Sequence, residues 1–536
     1  MTSPSASFQP PRVPLWVRAS RAPALHLRAL PRVTLLLCFV ACGTSPTRGE
    51  GGAPVPEFAG GANAGVVGTP AANSGEPGLD DRGLGGSSAE QGVPSREGAE
   101  ALPVSGPGAE SGEDSPSGEP PGDDVGEDGE PALPGEPTGN LFTDLLGIPE
   151  AEVNEKLELA VRRVFGIGTG EPATPVQDTG YRLYYELPQD RSMAFIWTPD
   201  TEDIRSEGMS YGMLIAVQMD LRAEFDRLWR FAKTFMQHAG NSGLTSWRYY
   251  FRWVGRVSTQ NPNDWAVTYG ANTGPAPDGE EYFAAALYLA DLRWGSGGAF
   301  NYRQDAGDLA RAMLDNPRAQ GRTPVIVPEQ DMVVFFPNGG TANYSDPSYH
   351  LPAFYEFFAL EGPPEHAERW RRIAERSRAF LVQSAHPQTG LHPDYANFDG
   401  SPNRGGASND RFQFDAWRVP MNMGLDHAWF EPDERMRQQS TKYHEFFITR
   451  LRGDDVANQL YDLDGGNASG GGSTALTATL AAAAHASRFP DRARFVQNLW
   501  NIDQQSGFYR YYQETVYLLG LLTTAGRMRY DFSDAP

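Results

Sequence analysis

The chain has 536 residues, 45 of them basic and 68 acidic, for a net charge of −23, with 40% hydrophobic residues. That length allows one large domain or two to three ordinary ones. So acidic a chain argues against nucleic acid as a partner, and two cysteines are too few for a disulfide-built scaffold.

Residues 1–42 read as an export signal. Arg12, Arg18, Arg21, Arg28 and Arg32 precede the apolar run VTLLLCFVAC, and no acid occurs in residues 1–43. The run is too short to span a bilayer. Its end, FVAC, resembles a bacterial lipobox with Cys42 as the lipid acceptor, although Phe39 is less usual than Leu there. Cleavage near Ala41 without lipidation is the alternative. Cys38 and Cys42 are the only cysteines, so the exported part is expected to carry no disulfide and no thiol chemistry.

Residues 43–140 predict a disordered linker. From Thr44 to Asn140 there are 18 acids and 3 bases among Gly, Pro, Ser and Ala. Such a segment buries too little apolar surface to offset chain entropy. A lipidated Cys42 followed by this tether would hold a soluble domain away from a membrane, at the cell envelope or surface. Without the lipid, the domain would be secreted.

From Leu141 the sequence turns dense and aromatic, with no second linker, so residues 141–536 are read as one domain. Helix-period segments recur in it, among them AEVNEKLELAVRRVFG, YGMLIAVQMDLRAEFDRLWRFAKTFMQ, EEYFAAALYLADLRW and ETVYLLGLLTTAG. Strand patterns are few and short, as in YRLYYEL and PVIVPEQDMVVFFP. The pattern predicts a nearly all-α domain with long Gly/Pro/Asn-rich loops.

Loops on a rigid helical scaffold commonly carry function, and these hold many rings: Trp247, Tyr249, Tyr250, Trp253, Trp265, Tyr344, Tyr349, Trp417, Tyr509, Tyr511 and Tyr512. Ring faces and carboxylates together suit a carbohydrate cleft, since sugar C–H faces stack on rings and carboxylates accept from hydroxyls. Four acids stand at helix starts or in loops: Glu207 in RSEGMSYGM, Asp278 in PAPDGEEYF, Asp346 in YSDPSYHLP and Asp415 in FQFDAWRVP. Each also has an ordinary structural reading. Asp278 with Glu281 fits a capping box, Asp346 before Pro347 fits an N-cap, Glu207 complements a helix dipole, and Asp415 can pair with Arg418. Nine histidines show no metal-ligand spacing, and neither a serine nucleophile elbow nor a phosphate loop occurs, so no metal and no cofactor are expected.

SEGMSYGM, PAPDGEEYFAAALYLADLRWG, SDPSYHLPAFYEFFAL and FDAWRVPMNMGLDHAWF, in that order, resemble glycoside hydrolase family 8, and its xylan-active branch most. The resemblance runs from about Leu141 to Tyr530. It implies an all-α fold, an (α/α)6 barrel, and hydrolysis of β-1,4 glycosidic bonds with inversion, acting on xylan or a related β-1,4-linked polysaccharide or oligosaccharide. It further implies Glu207 as general acid, Asp415 as general base, and Asp278 as the residue that holds the distorted sugar. Arg418 would orient the base and Tyr349 would hold the base or its water. Trp253 would stack on sugar, with Asp346 and Tyr512 as further substrate contacts. On this reading Gly208, Ser210 and Gly212 clear room for Glu207 to reach a sugar ring. Glu207 must be protonated, which burial near apolar and acidic neighbours achieves, and Asp415 must stay ionised, which Arg418 favours.

Other readings stay open: a relative acting on β-1,4-glucan or chitosan, or a lipoprotein that only binds polysaccharide. Within the xylan branch, the resemblance extends to reducing-end xylose-releasing exo-oligoxylanases, in which a Leu-His-Pro loop closes the leaving-group side. The corresponding stretch here, GGNASGGGS at residues 465–473, has neither His nor Pro, which favours an open cleft and endo action. The Leu391-His392-Pro393 run lies upstream of Asp415, where that loop is not expected. For the N-terminal segment, the expected outcome is that the full-length protein partitions into a detergent phase and that Cys42→Ala abolishes this. Partitioning that survives the substitution would refute lipidation at Cys42.

Overall fold

The computed structural model describes residues 138–175, 179–238, 247–254, 274–405, 409–430 and 433–532. The export signal, Cys42, nearly all of the linker and Trp265 lie outside the described residues. Among the described residues, no helix is long and apolar enough to cross a membrane.

After a short α1 (Leu141–Leu146), helices alternate between two kinds. One kind is amphipathic: α2 (Glu150–Phe165), α4 (Arg222–Phe231), α6 (Tyr302–Asp315), α8 (Ala367–Ser384), α10 (Glu434–Phe447) and α12 (Ala493–Asn501). The other is buried over most of its length: α3 (Ser206–Gln218), α5 (Pro277–Trp294), α7 (Pro352–Glu361), α9 (Val419–Trp429), α11 (Thr474–Ala482) and α13 (Arg510–Thr524). A helix apolar on one stripe lies on a surface, and one apolar all round must be enclosed. The contacts follow that rule. The enclosed helices form a closed ring, α3 to α5 to α7 to α9 to α11 to α13 and back to α3, and each carries one amphipathic helix on its outside. This is the (α/α)6 barrel.

The inner ring is drawn tight by small residues. A Cβ on Gly279 of α5 would meet the Ser206 side chain of α3 at 2.6 Å, and one on Gly424 of α9 would meet the Ala482 carbonyl of α11 at 2.2 Å. Gly520 of α13 faces the Ala478 backbone in the same way. The long periodic segment 211–237 is not one helix. It breaks at Asp220, which takes a left-handed φ of 58° where the chain leaves the inner ring for the outer one. The Asp220 carboxylate accepts from Trp294 Nε1 at 2.6 Å and Arg293 Nε at 3.1 Å, which pins the turn. Strands are short, as expected. The longest pair, β1 (Tyr184–Leu187) and β2 (Asp190–Ile196), is antiparallel with Tyr184 opposite Ile196.

Gly424→Ala should lower the thermal midpoint, because overpacking a rigid interface costs about 1–3 kcal/mol. Gly297→Ala, where nothing lies within 4 Å of the added carbon, should leave it unchanged. Equal midpoints for the two variants in a thermal melt would contradict the close packing of α9 on α11.

Candidate active site

The four acids singled out in the sequence meet at one side chain. Arg418, 1% exposed, sits at the start of α9. Its Nη1 donates to Glu207 Oε1 at 3.1 Å, Asp278 Oδ2 at 2.8 Å and the Tyr211 hydroxyl at 2.6 Å. Its Nη2 donates to Ser348 Oγ at 2.7 Å and Asp415 Oδ1 at 3.3 Å, and lies 3.5 Å from Asp346 Oδ2. Glu207 and Asp278 are second residues of inner helices, Asp346 caps the short turn before α7, and Asp415 lies in the turn before α9. All four therefore stand at the N-terminal end of the ring, where helix dipoles favour negative charge.

One guanidinium cannot neutralise four buried carboxylates, and their titration reflects it. Burial, and then the charge of Asp278, push Glu207 up to about 7. Burial pushes Asp346 up to about 7 as well, against the pull of Arg418. Asp278 is raised by burial against the same pull. Asp415 is raised well above the usual carboxylate range by burial and by Asp346, and Arg418 only partly opposes this. Arg418 pulls Asp415 toward its ionised form, but the guanidinium is shared four ways.

The small residues around Glu207 serve protein packing. A Cβ on Gly208 would strike the Tyr511 ring at 2.6 Å, and one on Gly212 would strike Ile196 at 2.8 Å. Gly208 thus admits Tyr511, whose hydroxyl donates to Glu207 Oε2 at 2.9 Å. Ser210 Oγ donates to the Glu207 carbonyl.

The remaining expected contacts divide. Tyr349 is fully buried, with its ring 5.5 Å from the Arg418 guanidinium and its hydroxyl unpartnered. Tyr512 is buried and donates to the Phe414 carbonyl at 2.8 Å, so it steadies the turn bearing Asp415. Trp253 is half-buried, with the Arg205 guanidinium 4.8 Å from its ring. Asp346 does cap its turn, accepting from Ser348 N–H at 2.7 Å. The capping box at Asp278 does not form, since Ala276 caps α5 with no side-chain bond. Glu281 turns instead to the Tyr355 hydroxyl, which also lies 3.1 Å from the Tyr349 carbonyl. Burial raises Glu281 well above its usual range, and the Tyr355 hydroxyl donates to its Oε1.

Two further segments needed the coordinates. His392 is a core residue, its Nδ1 at 2.8 Å from the Tyr443 hydroxyl and its Nε2 at 2.7 Å from the Leu381 carbonyl. The glycines of 465–473 are partly structural: a Cβ on Gly472 would collide with the Asp455 carboxylate, which accepts from Ser473 N–H and Thr477 Oγ1 at the start of α11. Sequence reading also missed Asp394, a fully buried carboxylate whose Oδ1 accepts from Ala416 N–H at 3.2 Å. Its only signal was an acid directly after the Leu-His-Pro run.

Residues 197–526 match the sequence profile of glycosyl hydrolases family 8. A reducing-end xylose-releasing exo-oligoxylanase, Rex8A of Paenibacillus barcinonensis, is 38% identical over 398 residues, 73% of this chain and 96% of its own. A reducing end xylose-releasing exo-oligoxylanase of Halalkalibacterium halodurans is 34% identical over 74% of this chain and 95% of its own. A solved structure of a family 8 catalytic-mutant xylanase with xylohexaose, from Teredinibacter turnerae, superposes with a TM-score of 0.64 at 36% identity, covering 73% of this chain and 97% of its own.

The raised acids set a pH dependence of stability. Glu207 titrates near 4.5 when unfolded and near 7 when folded, so the folded state holds the extra proton between those values. Its favourable contribution is complete below about pH 4.5 and is lost as pH rises through about 7. Glu207→Gln removes that loss. The variant should melt higher than the parent at pH 8, with the difference vanishing near pH 4. A variant less stable than the parent at pH 8 would contradict the raised acid.

Proposed function

Because the chain belongs to glycosyl hydrolase family 8, we propose that it cleaves β-1,4-xylosidic bonds in xylan or xylo-oligosaccharides with inversion at the anomeric carbon. The observation that carries the reading is the placement of Glu207 and Asp415 on different nitrogens of one buried guanidinium. Inversion needs two separate carboxyls with room for a water, about 6.5–9.5 Å apart.

Glu207, protonated near neutral pH, gives its proton to the glycosidic oxygen as the bond to the anomeric carbon breaks. Water attacks that carbon from the opposite face, and its proton passes to Asp415. Asp278 accepts from the hydroxyls of the distorted sugar, and Trp253 supplies a stacking face. Each turnover leaves Glu207 ionised and Asp415 protonated, so both reset by exchange with solvent. Activity needs Asp415 ionised and Glu207 protonated, so the pH profile should be bell-shaped.

We favour cuts within chains. The loop at 465–473 has no imidazole or proline to close the leaving-group side, and its tip, Gly466 to Ser469, is exposed. Release of xylose from reducing ends is the alternative, and the names of the curated relatives favour it. The Arg-rich leader and FVAC support a lipid-anchored location at the cell envelope.

Glu207→Gln and Asp415→Asn should each lower turnover on xylan by at least about 10²–10⁴-fold with the fold intact. Near-parental turnover in Asp415→Asn would remove it as the base. An endo enzyme should cut xylan viscosity early and accept xylo-oligosaccharides with a reduced end. Release of xylose alone, with polymer untouched, would overturn the endo reading.

A further inference from the structure

Asp394 lies behind the turn that carries Asp415. Its backbone is anchored, since His392 is tied into the core and Asp394 N–H donates to the Arg411 carbonyl at 2.9 Å. Its Oδ1 accepts from Ala416 N–H at 3.2 Å, and its carboxyl bonds the Gln413 side chain. These two partners flank Asp415 in sequence. Asp394 therefore grips the turn at both ends of the dipeptide that contains Asp415.

Other bonds hold the turn as well, among them Arg418 to the Asp415 carbonyl and carboxylate. Ala416 N–H is shared with the Gln413 carbonyl at 2.9 Å, a bond inside the turn itself. Tyr512 holds the Phe414 carbonyl, and Trp417 Nε1 holds the Gln459 carbonyl at 2.9 Å. Asp394 is the carboxyl bonded to the peptide directly after Asp415, and at 3% exposure water has little room to replace it. Burial and the nearby Asp346 raise it well above the usual carboxylate range. An oxygen acceptor at this point, with or without charge, is what the geometry uses.

We propose that Asp394 is a positioning residue for Asp415: its side-chain oxygen fixes the Gln413–Ala416 turn and so aims the Asp415 carboxylate at the attacking water. The proposal rests on Asp415 as the base. It deepens the reaction assigned above rather than adding a second one. A misplacement of about 1 Å costs on the order of 10²-fold in rate, and it does so in the chemical step rather than in binding.

The test compares Asp394→Asn and Asp394→Ala in the full-length protein, with xylohexaose as substrate and Asp415→Asn as control. Asparagine keeps the acceptor oxygen, so kcat should stay within about threefold of the parent. Alanine removes it, so kcat should fall by about 10–100-fold while KM changes by less than about twofold. An alanine variant with parental kcat would overturn the proposal, and so would an asparagine variant that falls as far as alanine. Should Asp394→Ala fail to fold, Gln413→Leu breaks one of the two bonds. It should give a smaller fall in kcat at unchanged KM, and parental kcat in that variant would also overturn the proposal. If Asp415→Asn itself keeps turnover, the base assignment fails instead, which separates the two claims.

Discussion

The Arg418 guanidinium is the interaction on which the site depends. It is nearly inaccessible to solvent, and it bonds or faces Glu207, Asp278, Asp346 and Asp415 at once. An unpaired buried charge is costly, and a buried pair is no better than its geometry. Here one positive charge is set against four acids, so electrostatics alone would drive them apart. Burial raises all four acids against the pull of the one guanidinium.

The barrel makes this arrangement possible. Six enclosed helices direct their N-terminal ends to one face, and the acids occupy helix starts or the turns just before them. The close approach of α3 to α5 at Gly279 and Ser206 brings Glu207 and Asp278 onto one nitrogen of Arg418. Stability is given up at the mouth and recovered in the ring, where side chains such as Leu476, Leu480, Leu518 and Leu522 are completely buried. Tyr211 and Ser348 accept from the Arg418 guanidinium and Tyr511 donates to Glu207, so cation and acid are held in fixed directions. Preorganisation of that kind is the protein's main contribution to a reaction whose charge develops in the transition state.

Much of this was legible in the sequence because it follows from local pattern. The helix-period segments EEYFAAALYLADLRW and ETVYLLGLLTTAG became helices of the inner ring. The four acids stood out because each opens a helix or turn among small or polar residues. What escaped depends on contacts between distant segments. Nothing in DGEEYF says that Glu281 reaches Tyr355 rather than the helix start. Gly208 was read as room for Glu207 to project, yet the room is taken by Tyr511, some 300 residues away. Asp394 follows a loop-like run and has no periodicity of its own. Only the bridge to Ala416 shows what it touches.

Inversion, as proposed, needs two carboxyls that flank the scissile bond without forming a covalent bond to the sugar. The most direct measurement is proton NMR of the first products from a β-linked xylo-oligosaccharide, recorded before mutarotation. The α-anomer should appear first at the newly formed reducing end. A β-anomer appearing first would mean retention through a covalent intermediate and would contradict the assignment of Asp415 as a base that activates water.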